Sequence, residues 1–477
     1  MADNRQDALR LHLAKPLDEA AIRAFSSKVR GQLIRPKDDG YDGARAVFYG
    51  SFDRHPALIV RVADSTDVSR VVSIARERGL ELAVKSGGHS LAGHGISEGG
   101  IVLDLSGMKN LEIDVGGRTA WAQTGLSAGE YTTAVGAHGL ATGFGDVGSV
   151  GIGGITLGGG VGYLVRKHGL TIDDLLAAEI VTADGEILRV DAESHPDLFW
   201  AIRGGGGNFG VVTRCWFRLH EVGEVVGGML IVPATPEVIA SFVGEAEAAP
   251  EELSTIANVM VAPPMPFLPE EVHGELVVMA MMVYAGEAEA GERAIAPFRA
   301  LATPLVDTIQ PKPYPEMYEP VGPGPEEEVA RSLFIDSFDG SAAETIVEHL
   351  RASTAPMAVA QLRVLGGAMA RVPVEATAFA HRKRRIMVAL GAVYERREET
   401  AAHEDWLTGF AAALCKGEAG VYVNFLGEEG EERVRDAYPG STWDRLAEIK
   451  GRYDPTNLFR LNQNIPPAAG QKEPGDG

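Results

Sequence analysis

Val150-Gly-Ile-Gly-Gly-Ile-Thr-Leu-Gly-Gly-Gly-Val-Gly162 is built largely of glycine. Glycine lets the backbone approach a ligand closely, and turns that expose successive N–H groups form anion-binding nests. A pyrophosphate is the obvious guest, so the dinucleotide fingerprint of a Rossmann fold is the first reading to test. Gly151-Ile-Gly153-Gly-Ile-Thr156 has threonine where the third glycine or alanine should fall, and the preceding Gly143-Phe-Gly-Asp-Val-Gly148 is no hydrophobic strand. A second run, Gly204-Gly-Gly-Gly-Asn-Phe-Gly210, follows Leu198-Phe-Trp-Ala-Ile-Arg203 and enters the strand Val211-Val-Thr213 rather than a helix. The Rossmann reading fails on this context. A third run, Ser86-Gly-Gly-His-Ser90, adds a histidine. Any one of the three, taken alone, reads equally well as a tight turn.

Around these runs, residues 56–220 alternate helices and strands. Val68, Val71, Val72 and Ala75 make one apolar helical face, with start signals at Ser65, Thr66 and Asp67 and a stop at Gly79. A strand is expected over Glu81–Lys85. Leu111, Ile113 and Val115 alternate, and Gly116-Gly117 turns them back toward Arg118–Ala122. Asp184-Gly185 joins Glu179–Thr182 to Glu186–Val190 in the same way. The pattern predicts an α+β sheet domain. From about 221 to 415, acidic and alanine-rich stretches surround Pro263-Pro-Met-Pro-Phe-Leu-Pro269, Lys312-Pro-Tyr-Pro315 and Val321-Gly-Pro-Gly-Pro325. They read as a second domain whose loops line a substrate pocket. A late helix is expected from a capping box, Ser441-Thr-Trp-Asp444, through Lys450, stopping before Asp454-Pro455, with a disordered tail over 467–477.

Length and composition bound the functions. The 477 residues suit two domains, and a net charge of −22 disfavours nucleic acid and anionic membranes as partners. No apolar run approaches the roughly 20 residues of a membrane helix. The start Met1-Ala-Asp-Asn-Arg-Gln-Asp7 is not a secretory signal as written, so the cytoplasm is the expected location. Cys215 and Cys415 allow one disulfide at most and no disulfide framework, and no Cys/His spacing suggests zinc or another metal. The oligomeric state stays open.

Four segments in fixed order resemble the FAD-linked oxidases of the vanillyl-alcohol oxidase superfamily, in particular the berberine-bridge-enzyme-like branch. They are Lys85–Ser90, Val150–Gly162, Asp197–Gly210 and Tyr453-Asp-Pro-Thr-Asn-Leu-Phe-Arg-Leu-Asn-Gln-Asn-Ile-Pro466. The likeness covers most of 45–220 and again 420–466. It implies a PCMH-type FAD-binding domain of two α/β subdomains over 1–220, an α+β substrate domain over 221–420, and a segment 421–477 returning to the FAD domain. It also implies FAD bound covalently to His89, with Lys85, Ser86, Gly87, Gly88, Ser90, Val150, Gly151, Gly153, Gly154, Gly159, Gly210, Val211, Asn462 and Asn464 around the cofactor. Many relatives attach the flavin a second time, to a cysteine three residues before the Val-Gly-x-Gly-Gly motif. Val147 stands there, so a single histidyl link is expected. In plant relatives a valine at the position of Val150 admits oxygen.

Relatives carry Tyr-x-Asn-Tyr where this chain has Tyr422-Val-Asn-Phe425, which nominates Tyr422 as catalytic base. Gln361 and Arg363 fall where relatives place polar active-site side chains, and Arg363 would help Tyr422, since a free tyrosine has a pKa of about 10. The expected activity is hydride transfer from a C–H next to an OH or NH of a small substrate to flavin N5, with molecular oxygen giving hydrogen peroxide. A dehydrogenase with another acceptor, or a non-catalytic flavin-binding protein, are the alternatives.

Overall fold

Leu58–Arg61, Ile101–Asp104 and Leu82–Lys85 are parallel neighbours in a four-stranded sheet, with Gln32–Ile34 antiparallel at its edge. The computed structural model describes residues 17–318, 322, 324, 327–417 and 419–468. The N-terminal heptad, residues 321, 323 and 325 of the last proline-rich segment and residues 469–477 of the expected tail lie outside them. Helix Ser65–Arg78 joins the first two parallel strands in sequence, burying Val68, Val71, Val72 and Ala75 as its periodicity predicts. Its cap is Asp64, one residue before the expected signals, because the Asp64 carboxylate accepts the Asp67 N–H. Asp67 is buried instead and accepts the N–H groups of Arg30, Gly31 and Ala63. Gly79, at φ 65°, ends the helix.

A five-stranded antiparallel sheet comes next, in the order Leu111–Asp114, Thr119–Gln123, Val211–Arg218, Leu175–Val181, Ile187–Asp191. Both expected turns are present between its outer pairs. Helix Pro196–Ile202 then leads through Gly204–Gly210 into the central strand.

Residues 224–394 supply an eight-stranded antiparallel sheet. Its strand Met357–Val364 shows how the layers form. Ala358, Ala360, Leu362 and Val364 pack into a core with Ile239, Phe242, Ile346, Leu350 and Phe410 of the covering helices. The period of two then turns Val359, Gln361 and Arg363 to the opposite face, toward the two smaller sheets.

The chain ends back on the first two sheets. Helix Ser441–Tyr453 packs against Pro196–Ile202, but the expected capping box does not form: Ser441 is already helical, and the cap position belongs to Gly440 at φ 60°, which has no side chain to offer. Buried Lys450 and Asp454 pin the C-terminal signature beyond this helix. Lys450 Nζ donates to Asp454 (2.7 Å) and to the carbonyls of Asn208 (2.7 Å) and Phe459 (2.9 Å). Asp454 accepts the N–H groups of Leu458 and Phe459. Asn208 completes the stitch, donating to the carbonyls of Gly205 and Gln463 and accepting the Ile465 N–H. The second glycine run and the C-terminal signature therefore meet because their polar groups satisfy one another.

Candidate active site

A cleft of about 490 Å³ lies where the three sheets and the C-terminal segment converge. It runs from an apolar end, with Leu82, Val84, Leu105 and Phe459, to a polar end bearing Gln361, Arg363 and Tyr422. The Ser86–Ser90 turn leaves the carboxyl end of the parallel strand Leu82–Lys85, where open α/β sheets present ligands. Ser86 Oγ donates to the Thr124 carbonyl (2.5 Å) and ties the turn to the second sheet. The turn interlocks with the long glycine run. A Cβ on Gly87 would stand 2.2 Å from the Gly151 nitrogen, and one on Gly151 2.2 Å from Ser86 Oγ, so neither position admits a side chain. Gly151 caps a short helix, Ile152–Leu157, through its backbone only.

His89 stacks on Phe48 with ring centroids 4.0 Å apart. Burial lowers its pKa to about 4, against a weaker upward pull from its hydrogen bond to the Ser149 backbone. The imidazole is therefore neutral at neutral pH, the form a nucleophilic ring nitrogen requires.

Tyr422 is buried with its hydroxyl oxygen facing three N–H donors: Gly160 (3.0 Å), Val161 (3.3 Å) and the Asn424 side-chain amide (2.9 Å). That amide nitrogen also donates to the Ile155 carbonyl (3.1 Å), which can only accept and so fixes which end is nitrogen. The glycines make room for this arrangement. A Cβ on Gly158 would lie 2.0 Å from Asn424 Oδ1, and one on Gly159 would press on Phe379 and Tyr422. Burial raises the Tyr422 pKa above its ordinary value, while Asn424, Val161, Gly160 and the Arg363 charge pull it back. A phenol cannot accept three N–H groups and keep its own proton well placed; a phenolate can.

Arg363 donates to Asp146 (2.9 Å) and to Gln361 Oε1 (2.8 Å), and its guanidinium lies over the Phe425 ring. Gln361 in turn donates to Asn258 (2.9 Å). Arg363 Nη1, Ser149 Oγ, Asn462 Oδ1 and Asn464 Oδ1 are buried atoms without a hydrogen-bond partner among the described residues. Orphaned polar atoms beside a glycine cradle and an apolar slot fit a large, partly polar cofactor such as FAD.

Of the residues singled out from the sequence, Ser86, Gly87, Gly88, His89, Ser90, Val150, Gly151, Gly153, Gly154, Gly210, Val211, Asn462, Gln361, Arg363 and Tyr422 line this one cleft. Three are not among its lining residues. Lys85 Nζ donates to the carbonyls of Ala44 and Ala46, Gly159 lies against the Tyr422 ring, and Asn464 is half-buried with its Oδ1 shielded from solvent. Sequence reasoning missed Phe48, Tyr49, His94, Asn258 and Glu328, which carry no motif. Asp146 was legible only as a neighbour of Val147.

A family model described as FAD binding domain matches residues 56–191, and one described as berberine and berberine like matches residues 421–466. The (R)-6-hydroxynicotine oxidase of Paenarthrobacter nicotinovorans is 31% identical over 464 residues, covering 92% of this chain and 97% of its own. A crystal structure of 6-hydroxy-D-nicotine oxidase from Arthrobacter nicotinovorans superposes with a TM-score of 0.82 at 28% identity, over 92% of this chain and 98% of that one. The glucooligosaccharide oxidase of Acremonium strictum, described with a 6-S-cysteinyl, 8α-N1-histidyl FAD, shares the fold at a TM-score of 0.82 and 23% identity, over 94% of this chain and 100% of that one.

Proposed function

This chain belongs to the berberine-bridge-enzyme-like branch of the FAD-linked oxidases, and we propose that it oxidises a small organic molecule at a C–H next to a hydroxyl or amine, with oxygen as acceptor and hydrogen peroxide as product. The observation that carries the reading is the convergence of the Ser-Gly-Gly-His turn, the glycine run and Tyr422 on one cleft. Residues 1–220 and 421–477 would hold FAD, and 221–420 would cover it. Ser86–Ser90 and Val150–Gly154 would offer N–H groups to the pyrophosphate, with Asn462 and Asn464 supplying polar contacts. Bound FAD supplies a hydride acceptor and a route for electrons to oxygen.

His89 is the single covalent attachment point, supported by its neutral ring. The glucooligosaccharide oxidase uses a cysteine as well; here Val147 lines the cleft at that place, and Cys215 is buried in a strand of the second sheet. Tyr422 Oη receives the substrate's O–H or N–H proton as hydride leaves the adjacent carbon; its three N–H neighbours and the Arg363 charge offset part of the upward push of burial on the pKa and so lower the cost of the deprotonated oxygen this needs. Arg363 and Gln361 orient the substrate from the sheet above. Val150 beside the cleft supports oxygen as acceptor. Among the described residues no helix is long and apolar enough to cross a membrane, and two unpaired cysteines support a cytoplasmic setting.

Acid precipitation of the purified protein tests the attachment: the pellet is yellow, and His89→Ala turns it white. A peroxide-coupled screen of alcohols, sugars and cyclic amines then finds the substrate. Stopped-flow reoxidation in air separates an oxidase from a dehydrogenase; a reduced flavin that persists in air and yields only to a quinone would reject oxygen as acceptor.

A further inference from the structure

Among the described residues, four charged side chains line the cleft: Asp146, Glu328, Arg331 and Arg363. Three have partners. Arg363 pairs with Asp146 at 2.9 Å, and Arg331 with Glu429 at 3.5 Å. The two histidines on the wall, His89 and His94, are neutral, since burial takes both to a pKa of about 4. The Glu328 carboxylate alone has no hydrogen bond or ion pair to another described residue.

Its position is set by the sheet. Strand Glu327–Ile335 pairs with Ile386–Tyr394 so that Ala330 faces Gly391, which in turn faces Val359 of the next strand. Ala330, Ala389 and Gly391 all line the cleft, so its floor here is a shelf of minimal side chains. The Glu328 carboxylate leans over that shelf, with Oε1 3.8 Å from where a Cβ on Gly391 would be, and Val359 bounds the other side at 3.4 Å. Tyr49 and Phe48, packed edge to face at 5.0 Å, also line this part of the cleft. Burial, with the charges of Glu328 and Asp146 beside it, raises the Tyr49 pKa, so its hydroxyl stays neutral and gives Glu328 no counter-charge.

We propose that Glu328 anchors a protonated nitrogen of the substrate on this shelf, so that the enzyme prefers cationic amines to neutral or anionic molecules of the same shape. The inference deepens the reading of the cleft as a flavin-oxidase site and rests on it. Filling the cleft with a neutral molecule strips water from an unpaired carboxylate, whereas an ammonium replaces that water with a charge-assisted hydrogen bond and aromatic faces. Burial pushes the Glu328 pKa up to about 7, so the carboxylate already stands near the limit of desolvation it can bear as an anion. An ammonium partner relieves that penalty; a carboxylate would add to it.

The test uses the flavin-loaded enzyme at pH 8, titrated calorimetrically with n-alkylammonium ions from methyl to hexyl, the matched primary alcohols and the matched carboxylates. At least one chain length should bind as ammonium about ten- to hundredfold more tightly than as alcohol, the worth of one charged hydrogen bond. Glu328→Gln, which keeps the shape, should erase that preference while leaving the melting temperature and the yellow acid pellet unchanged. Equal binding of ammonium and alcohol at every length, a preference for carboxylates, or a preference that survives Glu328→Gln overturns the proposal. A wild-type protein that binds no flavin, covalently or otherwise, would instead remove the flavin reading, and this inference with it.

Discussion

Replacing Tyr422 by phenylalanine removes one oxygen and strands three donors, and the consequences for stability and for rate separate cleanly. Two of the donors, the Gly160 N–H at 3.0 Å and the Asn424 amide at 2.9 Å, make full hydrogen bonds; the Val161 N–H at 3.3 Å makes a weaker one. A buried donor left unsatisfied costs about 1–3 kcal/mol. Asn424 keeps its bond to the Ile155 carbonyl and Val161 loses little, so the total is about 2–4 kcal/mol. With about 2.1 cal/mol/K per residue, 477 residues give an unfolding entropy near 1 kcal/mol/K, and the melting temperature should fall by only about 2–4 °C. Loss of a general base costs about 10²–10⁴-fold in rate. Anaerobic stopped-flow reduction of the flavin, with the best substrate from the peroxide screen, measures the chemical step directly, and differential scanning fluorimetry measures the stability. A reduction rate within about fivefold of wild type, with flavin fully bound, would refute Tyr422 as the base.

Other contacts give further expected outcomes. Gly158→Ala places a Cβ against Asn424 Oδ1 and should slow flavin reduction roughly tenfold, the worth of one hydrogen bond at Tyr422, with little change in flavin content. In a His89→Ala/Val147→Cys double variant the thiol at 147 should restore the covalent link, and a white acid pellet would show that Val147 does not face the flavin. Lys450→Met leaves Asp454 charged and two carbonyls bare in the core; about 3–5 kcal/mol of lost stability, hence a drop of about 3–5 °C, should appear in the melting curve. His94 and His381 are held near a pKa of about 4, and His168 near about 3, by burial. Their folded values lie below the unfolded value of about 6.5, so the unfolded chain binds more protons in between. Their contribution to stability is therefore complete above pH 6.5 and declines as pH falls toward 4, outweighing the opposite contribution of the raised carboxyls Glu328 and Asp174, so a melting series between pH 8 and 4.5 should fall toward acid; a flat series would contradict it.

The glycine runs, the Ser-Gly-Gly-His turn and the Asp454 signature were legible in the sequence because backbone constraints are local. A position where a Cβ would sit 2.2 Å from another backbone atom must be glycine, and the spacing of such positions survives as a pattern. Local signals misled at helix starts, where Ser65 and Ser441 look like caps but already lie inside their helices, and at one strand end, where Val115 continues the alternation but is exposed beyond Asp114. The tertiary structure alone decided the rest. Whether Glu328 is paired, which carboxylate answers Arg363, and how many donors reach the Tyr422 oxygen depend on residues 217 and 261 positions apart in one chain meeting across sheets. Charge compensation and desolvation act through space, and a sequence orders residues only along the chain.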